Sequence, residues 1–277
     1  MDIRITTFRR VLFLGALFVF AGEASAVVCT SLSAGTWSTA TLWSCGHVPV
    51  AADTVVIAHN ITLNNNYTIA GLTVNVGMTL SDTRGRNLTV TGNITNNGTI
   101  TSNRNGQIGS TGAAAVLSGT GTYSGSIRLL TSGAAPSIAA GSTLSFTNTA
   151  QIRTGRTVGG ATVAGSVLTI NGSLNATGQT GGTGTPLFRL HARNTIVGST
   201  GVIKTGTTGT IQYRATGTLT NNGNVTVGNI SRNAGTGSWV NAANSNLTIL
   251  TSFTTRLVTL NALATGNTVT FVAPAVP

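Results

Sequence analysis

The sequence predicts an all-β protein: a right-handed parallel β-helix, or solenoid, closed at its N-terminal end by a disulfide-bonded cap. Three observations predict this fold. Apolar and polar residues alternate with a period of two along most of the chain, which is typical of half-buried strands. The 36 glycines recur too often for a helix of even three turns. A short motif also returns at distant positions, as it does in stacked repeats.

Residues 1–26 have the features of a signal peptide. Three arginines before residue 11 form a positive n-region, Val11–Ala21 is a short apolar run, and Ala24–Ala26 has the small-x-small cleavage pattern. We therefore expect export from a bacterium, either into the medium or to the cell surface, with Val27 as the first mature residue. No later segment reaches the roughly 18 apolar residues of a membrane-spanning helix.

The composition after the leader bounds the class of protein. The whole chain carries 15 Lys and Arg against 4 Asp and Glu, and the leader holds three of these bases and two of these acids. The mature chain therefore keeps 12 bases, all but Lys204 arginine, and the two acids Asp53 and Asp82. Low charge with ample apolar content argues against disorder. The length fits one large all-β domain.

The two cysteines, Cys29 and Cys45, lie close to the start of the mature chain. In an exported protein with no other cysteine, we expect them to form a disulfide, worth about 3 kcal/mol in the chain-entropy model. The alternative is a metal site that adds His47 and His59 to the two thiols. Thiols in an oxidising compartment pair first, so we expect no metal and no cofactor, and we interpret Asp53 as a turn or capping acid.

The strand pattern and its repetition predict stacked coils. In Asn87–Thr101 the apolar residues share one parity, and Thr91–Thr101 matches Thr216–Thr226 at seven of 11 positions, with a weaker echo at Ile170–Leu174. Coils of about 20 residues would give roughly 11 coils between residues 52 and 277. We expect a cap over 27–63 and coils over 64–277, continuing beyond the C-terminus in a longer form. A pair of β-sandwiches is the alternative.

The segment "CTSLSAGTWSTATLWSCGHVPVAADTVVIAHNITL" resembles the N-terminal segment of MshQ-type bacterial surface proteins, named for biogenesis of the mannose-sensitive haemagglutinin pilus, and the entry of G8-like domains. The shared positions are Cys29, Gly35, Trp37, Trp43, Cys45, Gly46, Pro49, Asp53, Val55–Ile57, Ile61 and Leu63. The resemblance implies that Trp37, Trp43, Pro49 and Asp53 build a cap over the open end of a right-handed β-helix. It also implies an adhesin-like surface protein associated with pilus biogenesis.

The sequence argues against an enzyme. Glycoside hydrolysis normally needs two carboxylates across the scissile bond, and calcium-assisted lyases need clustered acids. The mature chain offers only Asp53 and Asp82. A Ser-His-Asp arrangement using His191 and Asp82 has no G-x-S-x-G sequence to support it. We expect His191 to be an exposed loop or strand residue.

The basic balance suggests an anionic ligand, although most bases are spread singly. The three pairs that could contact such a ligand are Arg84 with Arg86, Arg153 with Arg156, and Arg189 with Arg193. Residues two apart in a strand share a side, so we expect Arg84 and Arg86 to project together. Exported proteins rarely meet nucleic acid, so surface glycans or lipopolysaccharide are the better candidates. The alternative is that these arginines only keep an acid-poor solenoid soluble.

The aromatic residues give no clear sugar-binding row. Tyr67, Tyr123, Tyr213 and Trp239 are scattered, so we expect core or ladder positions, with Trp239 at a coil corner. Thr-x-Thr triplets do not recur at one interval, which disfavours an ice-binding face. The sequence therefore predicts a non-catalytic, exported structural or adhesin-like protein with glycans or envelope and pilus proteins as partners. An anionic-polysaccharide-binding module is the alternative, and a polysaccharide-degrading enzyme a remote one.

Overall fold

The computed structural model describes residues 26–159, 161–163, 165–179, 186–191, 193–214, 216–232, 236–253 and 258–272. The predicted leader lies outside these residues except for Ala26. Every pairing between named strands is parallel and joins one coil to the next. The first face stacks 11 strands, so the chain makes about ten turns. The parallel β-helix prediction is confirmed, and the sandwich alternative is wrong because hairpin-linked strands would pair antiparallel.

Each full coil contributes a strand to three faces. The first face comprises Val28–Thr30, Thr54–Ile57, Gly71–Val74, Ile94–Asn96, Val116–Ser118, Ser137–Ile138, Val167–Ile170, Asn194–Val197, Gly217–Asn221, Gly237–Asn241 and Val258–Asn261. The second face comprises Gly35–Thr36, Ile61–Leu63, Thr79–Asp82, Thr99–Ser102, Thr122–Gly125, Thr143–Phe146, Ser173–Ala176, Val202–Thr205 and Thr268–Phe271. The third face comprises Tyr67–Ile69, Asn87–Val90, Gln107–Ser110, Arg128–Thr131, Gln151–Thr154, Pro186–Leu190 and Thr210–Tyr213. Asn224–Arg232 and Asn246–Phe253 run from the second face into the third.

The core is a set of apolar ladders inside the coils. Alternation along each strand sends every second side chain inward, and stacked coils bring these side chains into register. On the third face one inward ladder consists of Leu88, Ile108, Leu129, Ile152, Phe188 and Ile211, each of them at most 2% exposed. The outward positions between them are then left for polar residues, which is where the functional side chains of this face lie.

The internal repeats mark one corner of the coil. All three echoes found in the sequence span the turn from the first face to the second, at Gly98, Gly172 and Gly223. A Cβ atom on Gly98 would collide with the carbonyl oxygens of Met78 and Asn75 one coil below. The corner therefore requires glycine because successive turns stack too closely for a side chain.

Two coils are longer than the rest. Thr54 stacks on Gly71, 17 residues later, whereas Ile138 stacks on Ile170, 32 residues later. The extra residues of that coil follow the third-face strand Gln151–Thr154, and those of the next coil precede the strand Pro186–Leu190. Long insertions on a regular scaffold are where binding residues tend to lie, so this part of the third face is a candidate for a binding site.

The N-terminal cap is a modified first coil. Its strands Val28–Thr30 and Gly35–Thr36 already pair with the second coil, and a short 3₁₀ helix at Ala40–Leu42 covers the end. Cys29 and Cys45 form the predicted disulfide. Trp37 and Trp43 are fully buried, with ring centroids 4.9 Å apart, and the Trp43 indole N–H donates to the Trp37 carbonyl at 2.8 Å.

Asp53 holds the turn that follows the disulfide. Its carboxylate accepts a hydrogen bond from the Val50 amide at 2.8 Å and lies 3.0 Å from His47 Nε2. Pro49, in the same turn, is buried. Burial raises the pKa of Asp53, but the Val50 amide and His47 outweigh it, so the pKa is lowered. Asp53 is therefore a turn acid, as its position in the sequence indicated. The described residues contain no helix long and apolar enough to cross a bilayer.

Candidate anion-binding face

The outer side of the third face carries a row of large polar residues. Arg153 lies directly opposite Arg189 on the next strand, and Arg189 lies directly opposite Gln212 on the strand after it. Neighbouring strands are about 4.8 Å apart, so like charges at such positions repel each other. Two arginines in direct register, with no acid between them, are therefore an unfavourable arrangement for the protein alone.

Arg153 is the most deeply placed cation of this row. It is 8% exposed, and its Nε and Nη2 both donate to Gln151 Oε1 at 3.1 and 2.9 Å. Burial, followed by the charges of Arg189 and the other nearby arginines, lowers the pKa of Arg153 to about 9. Burial and then Arg214 lower the pKa of Arg189 to about 10. Both guanidinium groups remain charged at neutral pH, at a cost that a bound anion would offset.

His191 lies in the middle of these arginines. It follows the strand Pro186–Leu190 directly, two residues after Arg189, and the amide of Arg214 on the next coil donates to the carbonyl of Leu190 beside it. The expectation that His191 would be exposed is wrong, since it is only 5% exposed. Burial first, and then the charges of the surrounding arginines, lower its pKa to about 3. The imidazole is therefore neutral at physiological pH.

Three neighbouring polar atoms of this cluster are buried without a hydrogen-bond partner among the described residues. They are Arg189 Nε, His191 Nε2 and Gln212 Oε1. Unpaired buried polar atoms are uncommon in folded proteins and call for an explanation. Arg189 and His191 belong to the second coil with a long insertion, and Gln212 lies directly opposite Arg189 on the next coil. That combination is typical of a ligand site whose polar partners come from outside the chain.

Two further arginines complete the cluster on its N-terminal side. Arg128 stacks on Gln151 and donates from Nη2 to Asn105 Oδ1 at 2.7 Å, and burial followed by the charge of Arg156 lowers its pKa. Arg156 begins the insertion after Thr154 and donates from Nη1 to Thr162 Oγ1 at 3.3 Å. The arginine cluster is defined here as Arg128, Arg153, Arg156, Arg189 and Arg214.

The chain has no acid to neutralise the cluster. Beyond residue 26 its only acids are Asp53, in the cap, and Asp82, which accepts from Ser102 Oγ at 2.7 Å and from the amides of Arg84 and Gly85. Asp82 therefore shapes a turn and is not hydrogen-bonded to His191, with which it was paired in the catalytic alternative. Positive charge concentrated on an acid-free face favours binding of anions.

The structure brings together only part of the predicted ligand-contacting set. Arg153, Arg156 and Arg189 belong to the arginine cluster. Arg193 is 1% exposed and donates from Nη1 to the carbonyl of Gly133 at 3.0 Å, so its side chain is not presented to solvent. Arg84 and Arg86 are in the turn between Thr79–Asp82 and Asn87–Val90, three coils from Arg153. The expectation that they project together from a strand is therefore wrong.

The sequence interpretation missed Arg128, Arg214 and His191 as members of the site. Their spacing along the chain is irregular, because the coils that separate them differ in length. One signal was available, because each of the three lies two residues from a position in the outward row of Arg153. Arg128 is two residues before Leu130, His191 two after Arg189, and Arg214 two after Gln212. Using that signal requires the register of every coil, which the sequence does not supply.

The aromatic residues are mostly unavailable for stacking on a ligand. Tyr123, Tyr213 and Trp239 are fully buried in the core, as expected for the two tyrosines. The corner position expected for Trp239 is wrong, because it lies within the strand Gly237–Asn241, opposite Leu219. Tyr67 is half-buried and stacks on Trp37 at 5.1 Å, so it belongs to the edge of the cap.

The described residues bring one set of potential metal ligands together, Cys29, Cys45 and His47. The two sulfur atoms are joined in the disulfide, which leaves His47 without a thiolate beside it. His47 instead faces Asp53, and His59 Nδ1 is 2.8 Å from the carbonyl oxygen of Ser31. The four-residue metal site considered from the sequence is therefore not formed.

Replacement of Arg153 by methionine is expected to raise the free energy of unfolding by about 2 kcal/mol in the absence of a polyanion. The substitution removes a buried positive charge that lies opposite another one, and methionine keeps most of the side-chain volume. Urea unfolding at pH 7 measures the change. Arg84→Met, which removes an exposed charge, is the control and should stay within about 0.5 kcal/mol of the parent. A loss of stability in Arg153→Met would show that its bonds to Gln151 matter more than the repulsion.

A comparison of the chain with protein-family models, curated proteins and solved structures found no match.

Proposed function

We propose that this chain is a non-catalytic, exported β-solenoid of a bacterial surface protein, and that its third face binds an anionic polysaccharide. The stacked coils form a scaffold that holds the arginine cluster in a fixed arrangement. Binding is electrostatic and multivalent: several anionic groups of one polymer contact several arginines on successive coils. The chain supplies a surface for attachment and does no chemistry on the polymer.

One observation carries this proposal. Arg153 and Arg189 lie in direct register on the outer side of the third face, with Arg153 buried, His191 neutral beside them and no acid of the chain near enough to compensate. An arrangement that is unfavourable for the isolated protein becomes favourable when an anion lies over both guanidinium groups, because charge-assisted hydrogen bonds then replace repulsion.

The surface location rests on sequence features. The predicted leader supports export, and the resemblance of the cap segment to MshQ-type proteins supports a role at the envelope, in an adhesin-like or pilus-associated protein. An exported protein meets acidic capsules, exopolysaccharides and lipopolysaccharide before it meets nucleic acid. These polymers present carboxylate, phosphate or sulfate groups, for which arginine is the preferred partner.

Binding to dextran sulfate and to uncharged dextran tests the proposal, because the two polymers share a backbone and differ in charge. Residues 27–277 are expected to bind dextran sulfate saturably, to ignore dextran, and to lose affinity as salt rises. Arg153→Gln/Arg189→Gln should weaken binding by roughly 30-fold or more. Lys204→Gln/Arg84→Gln removes the same charge elsewhere and should change binding by less than about threefold.

Two results would overturn the proposal. Equal binding by both double variants would show that net charge alone drives association. A complete lack of binding by the parent protein to dextran sulfate, to polygalacturonate and to lipopolysaccharide would leave the inert scaffold, in which the arginines only maintain solubility, as the better account.

A further inference from the structure

A small cleft lies on the third face, on the N-terminal side of the arginine cluster. Its floor and one side are built from two successive coils, and its volume is about 210 Å³. The residues that line it are Asn66, Tyr67, Thr68, Asn87, Thr89 and the tip of the insertion at Val158 and Gly159. None of these side chains is charged. The cleft is therefore chemically distinct from the arginine cluster on the same face.

The wall of the cleft is the insertion that follows Thr154. Its two arms are joined by hydrogen bonds from the Thr157 amide to the Ala161 carbonyl and from the Val163 amide to the Gly155 carbonyl. The tip bends back over the preceding coils, where the Gly159 amide donates to Gln107 Oε1 at 3.2 Å. Val158 packs over Gly109, where any side chain would collide with it. Glycine at position 109 therefore leaves the space in which Val158 packs.

A continuous polar row connects the cleft to the arginine cluster. Asn66, Asn87, Gln107, Arg128 and Gln151 occupy the same outward position on five successive coils. The Asn87 amide donates to Asn66 Oδ1 at 2.9 Å, which fixes the start of the row. Three coil steps of about 4.8 Å separate Asn66 from Arg128, a distance of about 14 Å. The tip of the insertion lies on this row at Gln107, so a linear chain of a few sugar units contacts both regions by passing over that tip.

The two regions select different chemical groups. The cleft offers side-chain amides and threonine hydroxyls, which suit the hydroxyl groups of an uncharged sugar. The arginine cluster suits carboxylate or sulfate groups. A purely anionic polymer would place a charge in the uncharged cleft without a partner, at a cost in desolvation.

From this juxtaposition we propose that the natural ligand is a linear heteropolysaccharide with uncharged and acidic sugars in one chain. It lies along the solenoid axis, with an uncharged unit in the cleft walled by Val158 and Gly159 and acidic units over the arginine cluster. This inference rests on the proposed function, since it specifies which anionic polysaccharide the third face takes.

The test compares hyaluronan oligosaccharides, in which carboxylated and uncharged sugars alternate, with dextran sulfate. Thr68→Phe fills the cleft from an exposed strand position without changing charge. It is expected to weaken hyaluronan binding roughly tenfold and to leave dextran sulfate binding within about twofold. Thr248→Phe introduces the same side chain on the second face, opposite Thr226 and Thr270, and should leave both affinities unchanged.

The outcomes separate the two proposals. If Thr68→Phe binds both polymers like the parent, or loses affinity for both equally, the cleft is not a sugar subsite and this inference is wrong, while the arginine cluster stands. If the parent binds neither polymer, the proposed function itself fails. Hydrogen exchange of the parent adds a direct readout: protection of residues 66–68 is expected with hyaluronan and not with dextran sulfate, and protection by both would overturn the inference.

Discussion

Replacement of Trp37 by alanine is expected to lower the free energy of unfolding by about 4 kcal/mol. The indole is fully buried at the end of the solenoid, between Trp43 at 4.9 Å and Tyr67 at 5.1 Å between ring centroids. Its backbone amide also donates to the carbonyl of Thr62 in the second coil at 2.9 Å. Removing the ring opens the first coil and exposes the apolar ladders beneath it.

Urea unfolding of the disulfide-bonded protein measures this loss, and hydrogen exchange locates it. Trp37→Phe, which keeps an aromatic ring, should lose less than half as much stability. Because each coil contacts only its neighbours, exchange is expected to accelerate in the first two coils before it does so in the rest. A loss below about 1 kcal/mol, with exchange unchanged in residues 54–74, would show that the cap does not close the core.

Acidification from pH 6 to pH 4.5 is expected to destabilise the protein by up to about 1.4 kcal/mol per pH unit through His191 alone. In the unfolded chain His191 takes up a proton near its ordinary pKa of 6.5, whereas in the folded protein its pKa is about 3. Only the unfolded state binds a proton in this interval, so the equilibrium shifts toward unfolding as the pH falls. His191→Gln should remove this slope and leave stability at pH 7 within about 1 kcal/mol.

The groups that face His191 explain the direction of the effect. Besides burial, the positive charges of Arg156, Arg214, Arg153 and Arg189 oppose its protonation, and no carboxylate lies among them. Asp53 acts in a separate window: its lowered pKa contributes stability that is complete above about pH 4 and is lost below it. Urea unfolding at half-unit pH steps separates the two. An acid slope unchanged in His191→Gln between pH 6 and 4.5 would contradict this account.

Features written locally in the chain could be predicted from the sequence. Alternation such as Leu88, Val90 and Ile94 indicates strands directly, and a chain with two cysteines has a single internal pairing. The glycine corners at Gly98 and Gly223 were visible as repeats because the corner recurs with the same sequence. Trp239 was misplaced because a corner and a strand centre look alike near Gly and Ser residues.

The contacts between arginines could not be predicted from proximity in the sequence. Proximity in the sequence joined Arg189 with Arg193 and Arg84 with Arg86, yet the structure buries Arg193 and places the other pair in a turn. The partner that matters for Arg189 is Arg153, 36 residues earlier, whereas the register neighbour of Gln107 is Arg128, 21 residues later. Unequal coils therefore hide the contacts from any fixed spacing.

Strand periodicity and cysteine pairing depend on residue type and order, so the sequence by itself predicted the strands, the disulfide and a parallel solenoid as the favoured fold, while the tryptophan-bearing cap followed from the resemblance of the N-terminal segment. Only the tertiary structure decided that Arg153, Arg156, Arg189 and Arg214 surround a buried His191, with Arg128 opposite Gln151 and an uncharged cleft on the same face. The physical reason is register. The neighbours of a side chain on one face of a solenoid depend on the number of residues in each coil, and the two insertions beside the cluster change that number.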